Sequence, residues 1–268
     1  MDHITSGDKN IWPCVAGGVV AGAACALAAV HAVPMPAMCK PSRPQGKIVL
    51  HYFPIPAMGE PVRLLLELGG FDWEDKVVDF KTWGEGTLKK QAQWGQMPFM
   101  LLEDGTQFTQ SRAMVKFLAN YVTVSGTPLM PSDPMVVYQV DMLMDAFEDM
   151  LNKLRKTFAT ADAAEKAAER EKLFLPGGQC AELFKKMDAV CGADYLVAGQ
   201  LTYGDLYFYV LVAFLRCGFW QDPAPGVPAN FIDAYPKLKG VCDRFGAIPE
   251  VKAYYATKSG NKMYAVMQ

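Results

Sequence analysis

The sequence has few of the residues that build metal centres, disulfide frameworks and nucleic-acid surfaces. Among its 268 residues are three histidines and seven cysteines, and no two cysteines form a C-x-x-C pair. An odd number of irregularly spaced cysteines predicts neither a disulfide framework nor a zinc site and favours a reducing compartment. The net charge is -2 and no block of Lys or Arg occurs. We therefore predict no metal site and no nucleic-acid partner.

Charged side chains are also missing from residues 11–33, which contain no Asp, Glu, Lys or Arg. A helix of this length spans about 34 Å, enough for a bilayer core of about 30 Å, so we predict a single transmembrane helix there. Gly18 and Gly22 form a G-x-x-x-G pair, at which a partner helix of a membrane complex can approach closely. A cleaved signal segment and part of a transit sequence are the alternatives.

The flanks of this segment predict its orientation. Lys40, Arg43 and Lys47 follow it, whereas Lys9 alone precedes it. The positive-inside tendency then places the following chain on the cytosolic side or its stromal or matrix equivalent. Residues 34–46 contain four prolines and predict a semi-rigid linker, so residues 1–46 form a first unit.

Residues 47–125 show the pattern of an α/β domain. The alternating run at 47–53 predicts a strand, 60–68 a helix and 73–78 a second strand. Two further strands at 97–102 and 107–109 flank a D-G turn, and a helix follows at 111–121. The order β-α-β, then β-β-α, predicts a thioredoxin-like domain with a mixed four-stranded sheet.

Residues 126–268 predict an all-helical domain. Helices are expected from Asp133-Pro134 to about Phe158, over 160–172 as an exposed or continuing helix, and over 177–190. Thr202 and Asp205 form a capping box before an apolar run at 206–220. That run contains one charge and is short for a membrane span, so we predict a buried core helix.

Two stretches carry a specific resemblance. The segment KIVLHYFPIPAMGEPVRLLLELGG resembles the opening of a cytosolic glutathione transferase, and WGQMPFMLLEDGTQFTQSRAMVKFLANY resembles the second half of the same domain. The tyrosine at the end of the first strand and Q-S-R-A after the D-G turn are most similar to the sigma-like, tyrosine-type class. The resemblance covers roughly residues 47–258. It implies an enzyme that uses glutathione as co-substrate with an electrophilic small molecule, and a family that forms homodimers.

The resemblance implies that Tyr52 activates the sulfur of glutathione. A thiol with a pKa near 8.5 is mostly protonated at neutral pH, whereas attack on an electrophile needs the thiolate. A hydroxyl aimed at the sulfur favours the anion by hydrogen bonding. Taken by itself, Tyr52 could equally be a core or rim tyrosine on a strand.

The resemblance also assigns residues to the ends of glutathione. Gln110 and Ser111 are expected to hold the γ-glutamyl carboxylate, because Ser111 begins a helix whose N–H groups attract anions. The alternative role of Ser111 is an N-cap alone. Met97 is expected to present its backbone to the cysteinyl part before a cis Pro98; a trans proline at a strand start is the alternative.

Three more residues match positions that hold the glycyl carboxylate in sigma-like relatives. They are Trp83, Lys89 and Gln96. The spacing from Trp83 to Lys89 is about two residues longer than usual, which leaves Lys90 or a solvated loop as alternatives. Asp149 matches an acidic residue that reaches across a dimer to the partner's ligand, and a solvated acidic face is its alternative.

One departure from the family affects turnover. Relatives often carry an arginine shortly after the catalytic tyrosine, and Met58 stands there in this chain. Phe53, Ile55 and Met58 are then expected to line an apolar pocket for the second substrate.

Two functions remain open from the sequence. The first is a membrane-tethered glutathione transferase that conjugates or isomerises an electrophile. The second is a non-catalytic transferase-like accessory or scaffold subunit of a membrane complex. A disulfide oxidoreductase is disfavoured because the loop at 54–58 contains no cysteine.

Overall fold

The computed structural model describes residues 43–197, 199–216 and 226–267. Its first part is built on a four-stranded sheet of order β2-β1-β3-β4, in which β1 pairs parallel with β2 and antiparallel with β3, and β3 pairs antiparallel with β4. The elements, in chain order, are β1 Ile48–Tyr52, α1 Glu60–Leu68, β2 Trp73–Val77, α2 Phe80–Gly84, α3 Thr87–Gln91, β3 Phe99–Leu102, β4 Gln107–Thr109 and α4 Ser111–Ala119.

The sheet and its helices form the predicted thioredoxin-like arrangement. Ile48, Leu50 and Tyr52 alternate along β1 and are all buried, as expected for one covered face of a pleated strand. The helices α1 and α4 pack against each other. The strand predicted from residue 97 begins at Phe99, because Pro98 before it has no N–H to donate to the sheet. The short helices α2 and α3 were not predicted.

The second part is helical, after a short hairpin. Its elements are β5 Thr123–Val124, β6 Thr127–Pro128, α5 Pro134–Lys156, α6 Ala163–Phe174, α7 Gln179–Val190, α8 Tyr203–Arg216, α9 Pro236–Gly246 and α10 Pro249–Ala256. The predicted run at 206–220 lies partly in α8, in which every residue from Tyr203 to Leu215 is buried. The helix α8 packs against α5 and α9, and it also contacts α1 and α4 of the first part.

The capping residues at the start of α8 are buried and fully engaged. The Asp205 carboxylate accepts hydrogen bonds from the Thr202 N–H and hydroxyl, both at 2.8 Å, and from the Leu196 N–H at 2.7 Å. The Thr202 hydroxyl oxygen accepts from the Gly204 N–H at 3.2 Å. These contacts satisfy N–H groups that a buried helix end would otherwise leave unpaired, so the role of the pair is structural.

A buried polar cluster joins α1 to the C-terminal residues. The carboxylate of Glu60, which is fully buried, accepts hydrogen bonds from the hydroxyls of Tyr254 at 3.0 Å and Tyr264 at 2.9 Å. The Arg63 guanidinium lies 3.4 Å from the same carboxylate. Burial raises the pKa of Glu60, and the positive charge of Arg63 opposes that shift.

Within the described residues, no helix is long and apolar enough to cross a membrane. The predicted transmembrane helix at 11–33 lies outside the described residues.

We expect Tyr254→Phe to lower the free energy of unfolding by about 1.5–3 kcal/mol, because it removes a hydrogen bond to a buried charged group. Urea unfolding measures the change. Tyr255→Phe is the matched control: the Tyr255 hydroxyl is buried without a hydrogen-bond partner among the described residues, so its loss should leave stability unchanged or slightly higher. Equal losses in both variants would contradict the role given to the Glu60 cluster.

Candidate active site

Tyr52 lies at the end of β1 with its hydroxyl at a large cavity. The side chain is 4% exposed, and the cavity that it lines has a volume of about 580 Å³. The Tyr52 oxygen accepts a hydrogen bond from the Met58 N–H at 3.2 Å. Its own O–H has no acceptor among the described residues, so its proton is available to a ligand in the cavity.

Burial of the Tyr52 side chain keeps its hydroxyl protonated at neutral pH. Burial raises the pKa of Tyr52 to about 12, against the lowering effects of the Met58 N–H and of the charges of Arg63 and Arg155. At pH 7 the group is therefore a neutral donor. It can stabilise an anion that is placed beside it, but it cannot act as a base there.

The loop after β1 is held in place from α1. The Arg63 guanidinium donates to the carbonyls of Phe53 at 3.0 Å and Ile55 at 2.8 Å, and to the Asp75 carboxylate at 2.9 Å. A side chain at Gly59 would collide with the Tyr52 ring. Glycine therefore lets the start of α1 approach the ring closely.

The cavity lining includes groups that favour an anion. Ser111 is the first residue of α4, where backbone N–H groups lack helical partners and the helix dipole favours negative charge. Gln110 precedes it with a φ of 65°, and the Gln110 side-chain Nε2 donates to the Gln96 side-chain Oε1 at 3.2 Å. Both residues line the cavity beside Tyr52.

Two further segments line the same cavity. The Met97–Pro98 peptide bond is cis, and both residues line the cavity. Trp83 lines it from α2, and its ring packs edge-on against Phe53 with centroids 6.3 Å apart.

The opposite wall comes from the helical part. Its polar members lie on α5 and its apolar members on α5, α8 and the turn after α5; they are Glu148, Leu151, Asn152, Arg155, Phe158, Leu211 and Phe214. The cavity thus combines a helix N-terminus that favours an anion, the protonated Tyr52 side chain and a wall with both apolar and polar side chains. That combination suits a small peptide-like anion placed beside an apolar second molecule.

Comparisons with known proteins show what this chain is similar to. Residues 148–258 match the model of the glutathione S-transferase C-terminal domain. Glutathione S-transferase S1 of Drosophila melanogaster is 28% identical over 207 residues, 76% of each chain. Glutathione S-transferase 1 of Ascaris suum is 27% identical over 80% of this chain and 97% of its own. The structure of prostaglandin synthase D of Nilaparvata lugens superposes with a TM-score of 0.67 at 26% identity, covering 79% of this chain and 98% of that one.

This chain is similar to the glutathione S-transferase family. It has the fold of that family, a thioredoxin-like domain followed by a helical one. Its similarity to the curated transferases extends over about four fifths of its length.

The transferase fold brings most of the predicted site residues together. The cavity is lined by Tyr52, Phe53, Met58, Trp83, Gln96, Met97, Pro98, Gln110 and Ser111. Lys89 does not line it, although a Cβ at Gly95, which does line it, would lie 3.8 Å from the Lys89 side chain. Asp149 lies on a different surface of α5, beside Tyr138 and Met142.

Ile55 is not where the sequence analysis expected it. It was assigned to the second-substrate pocket, but it is 5% exposed and packs in the hydrophobic core, outside the cavity lining. The reason is local: Arg63 holds the Ile55 carbonyl and fixes the path of the loop, and the side chain faces inward.

The residues of α5 that line the cavity were not predicted from the sequence. Glu148, Leu151, Asn152 and Arg155 are spaced three, four and seven residues apart, which places them on one face of a helix. This spacing is visible in the sequence. It does not by itself say which face of a long amphipathic helix borders a site.

The described cysteines and carboxylates offer no other chemistry. Burial raises the pKa of the Cys180 thiol to about 12 and that of Cys191 to about 11, so these thiols are not nucleophiles at neutral pH. Within the described ranges, no cluster of His, Cys, Asp or Glu could hold a metal ion.

Proposed function

We propose that this protein is a sigma-like glutathione transferase in which Tyr52 stabilises the thiolate of bound glutathione. The observation that supports this most directly is the Tyr52 hydroxyl: it lines the cavity, accepts from the Met58 N–H and keeps its own proton for a ligand. Its pKa of about 12 keeps that proton in place at any working pH. Relatives named glutathione S-transferases make glutathione the expected ligand.

Glutathione fits the cavity by the chemistry of its ends. Its γ-glutamyl carboxylate would lie at Gln110 and Ser111, where the N-terminus of α4 favours an anion. Its cysteinyl backbone would pair with Met97 before cis Pro98. Trp83 and Gln96, with Lys89 behind Gly95, would meet the glycyl carboxylate. The sulfur then falls beside Tyr52, between the anion-binding end and the apolar wall.

The reaction follows from this placement. The thiol proton leaves to solvent, and the Tyr52 O–H donates to the sulfur anion. The thiolate forms a bond to the electrophilic carbon, which expels a leaving group or, at a conjugated carbonyl, gives an enolate that takes up a proton. Phe53, Met58 and the wall from α5 and α8 would border the second substrate.

Replacing Tyr52 tests this mechanism. A hydroxyl that lowers the thiol pKa by about two units contributes roughly 2.7 kcal/mol to the thiolate. A thiol pKa that returns from about 6.5 to about 8.5 lowers the thiolate fraction at pH 7 about 25-fold, so we expect Tyr52→Phe to lower kcat/KM at pH 7 by about that factor. We expect the pH profile to shift upward by about two units, and the calorimetric affinity for glutathione to change little. Tyr255→Phe, a buried tyrosine outside the cavity lining, is the control. An unchanged pH profile in Tyr52→Phe would remove Tyr52 from the mechanism.

We further propose that the protein is a homodimer. Met135, Tyr138 and Met142 follow one another at helical spacing on α5 and are 60%, 60% and 43% exposed. Asp149 borders the same surface. A second copy seated there would cover these apolar side chains and bring Asp149 to the amino group of its partner's glutathione.

The dimer is tested by a double-mutant cycle. We expect Met142→Glu to give a monomer in sedimentation velocity, because it buries a charge in the interface. Asp149→Asn should weaken glutathione binding about fivefold in the dimer, the loss of a charge-assisted contact at a partly exposed site. In the Met142→Glu background the same change should have no effect. A loss of equal size in both backgrounds would show that Asp149 acts within its own protomer.

A membrane tether remains part of the proposal. Residues 11–33 lack charged side chains, and Lys40, Arg43 and Lys47 follow them. A single helix there would keep the transferase part on the cytosolic side or its stromal or matrix equivalent. We expect the full chain to float with liposomes in a density gradient, and the chain that lacks residues 1–42 to stay in the aqueous fraction. Sedimentation of both would contradict the tether.

The second candidate is a non-catalytic subunit of a membrane complex, anchored through the Gly18 and Gly22 face. Met58, in place of the arginine that relatives often carry, favours it. The assay above separates the two: glutathione binding without turnover by the wild-type chain supports the accessory function.

A further inference from the structure

Arg155 is held at the cavity by two neighbours on α5. Its Nη1 atom contacts the Glu148 carboxylate, and it donates to the Asn152 side-chain oxygen at 2.7 Å. Both partners precede Arg155 on the same face of the helix, seven and three residues earlier. These contacts to one nitrogen restrict the conformation of the guanidinium.

The other edge of the guanidinium has no protein partner. Among the residues that the structure describes, Nε and Nη2 of Arg155 donate to no acceptor. These two nitrogens form the edge that matches the two oxygens of a carboxylate. The side chain is 35% exposed and lines the cavity, so a ligand can reach this edge.

Apolar side chains line the same cavity as Arg155. They include Phe158, Leu211 and Phe214. The positive charge also reaches Tyr52, since Arg155 is among the groups that lower its pKa. A molecule placed between Tyr52 and Arg155 would meet a sulfur anion at one end, apolar side chains along its length and a guanidinium at the other end.

We propose that Arg155 selects electrophiles that carry a carboxylate on an apolar body, by pairing its free edge with that carboxylate. The inference rests on the proposed binding of glutathione beside Tyr52. Glu148 has the opposite influence: it holds Arg155 in place, and its negative charge competes with the carboxylate of the ligand.

Two glutathione conjugates test the inference without requiring turnover. S-hexylglutathione carries an apolar chain, and S-carboxypentylglutathione carries a chain of matched length that ends in a carboxylate. Calorimetric titration of the full chain in detergent should show that the carboxylate conjugate binds at least as tightly as the hexyl conjugate. We expect Arg155→Leu to weaken only the carboxylate conjugate, by about tenfold, the loss of one charge-assisted contact.

Three variants sharpen the result. Arg155→Lys keeps the positive charge but lacks the two parallel N–H donors of the guanidinium. It should therefore recover only part of the affinity for the carboxylate conjugate that Arg155→Leu loses. Lys156→Leu removes the same charge from the same helical turn, but Lys156 lines a separate surface cavity, so both conjugates should bind as in the wild type. Glu148→Gln removes the competing charge and should tighten the carboxylate conjugate about threefold relative to the hexyl conjugate.

Equal losses of both conjugates in Arg155→Leu would overturn the inference, because Arg155 would then support the cavity without selecting charge. Unchanged affinities in that variant would overturn it as well. Conjugate binding without any turnover would contradict the transferase proposal while leaving the Arg155 result intact. If the wild type turns over substrate but neither conjugate affinity depends on Arg155, the transferase proposal stands and the Arg155 inference fails.

Discussion

The buried guanidinium of Arg63 connects the loop after β1, the second strand and the C-terminal residues. It donates to two loop carbonyls and to Asp75 on β2, and it lies against Glu60, which accepts from two tyrosines far along the chain. Burying a charge costs free energy unless the charge is paired and hydrogen-bonded. Removal of any one of these partners would therefore leave a buried charge less well compensated. The position of the Tyr52 hydroxyl depends on this cluster, because the loop that the guanidinium holds supplies the Met58 N–H.

The same constraint explains why the site lies between two domains. Tyr254 and Tyr264 belong to the C-terminal part, yet their hydroxyls complete the hydrogen bonding of a carboxylate on α1. The helical part is thereby fixed against the sheet, and α5 and α8 can contribute one wall of the cavity. A cavity shared by two packed units can keep a rigid anion-binding end and vary its apolar wall. Under the proposed function, variation of that wall would change the second substrate without disturbing the residues around the glutathione sulfur.

Much of this arrangement could be predicted from local sequence patterns. The alternation of apolar residues predicts β1, which the structure contains. The serine at position 111 predicts the start of α4, and the Met97-Pro98 pair, through the family resemblance, predicts the cis peptide bond observed there. What could not be predicted depends on contacts between distant residues. The inward direction of Ile55 is set by Arg63, and the role of the α5 face is set by how the helical part docks. Periodicity identifies a face but does not say what it meets.

The replacement of the loop arginine by Met58 does not leave Tyr52 without positive charge nearby. The Arg63 guanidinium lies 5.5 Å from the centre of the Tyr52 ring, and Arg155 approaches from α5. Both charges lower the pKa of Tyr52 against the effect of burial. Met58 still contributes its N–H, which any residue except proline could supply. Positive charge therefore acts on Tyr52 from α1 of the first domain and from α5 of the second.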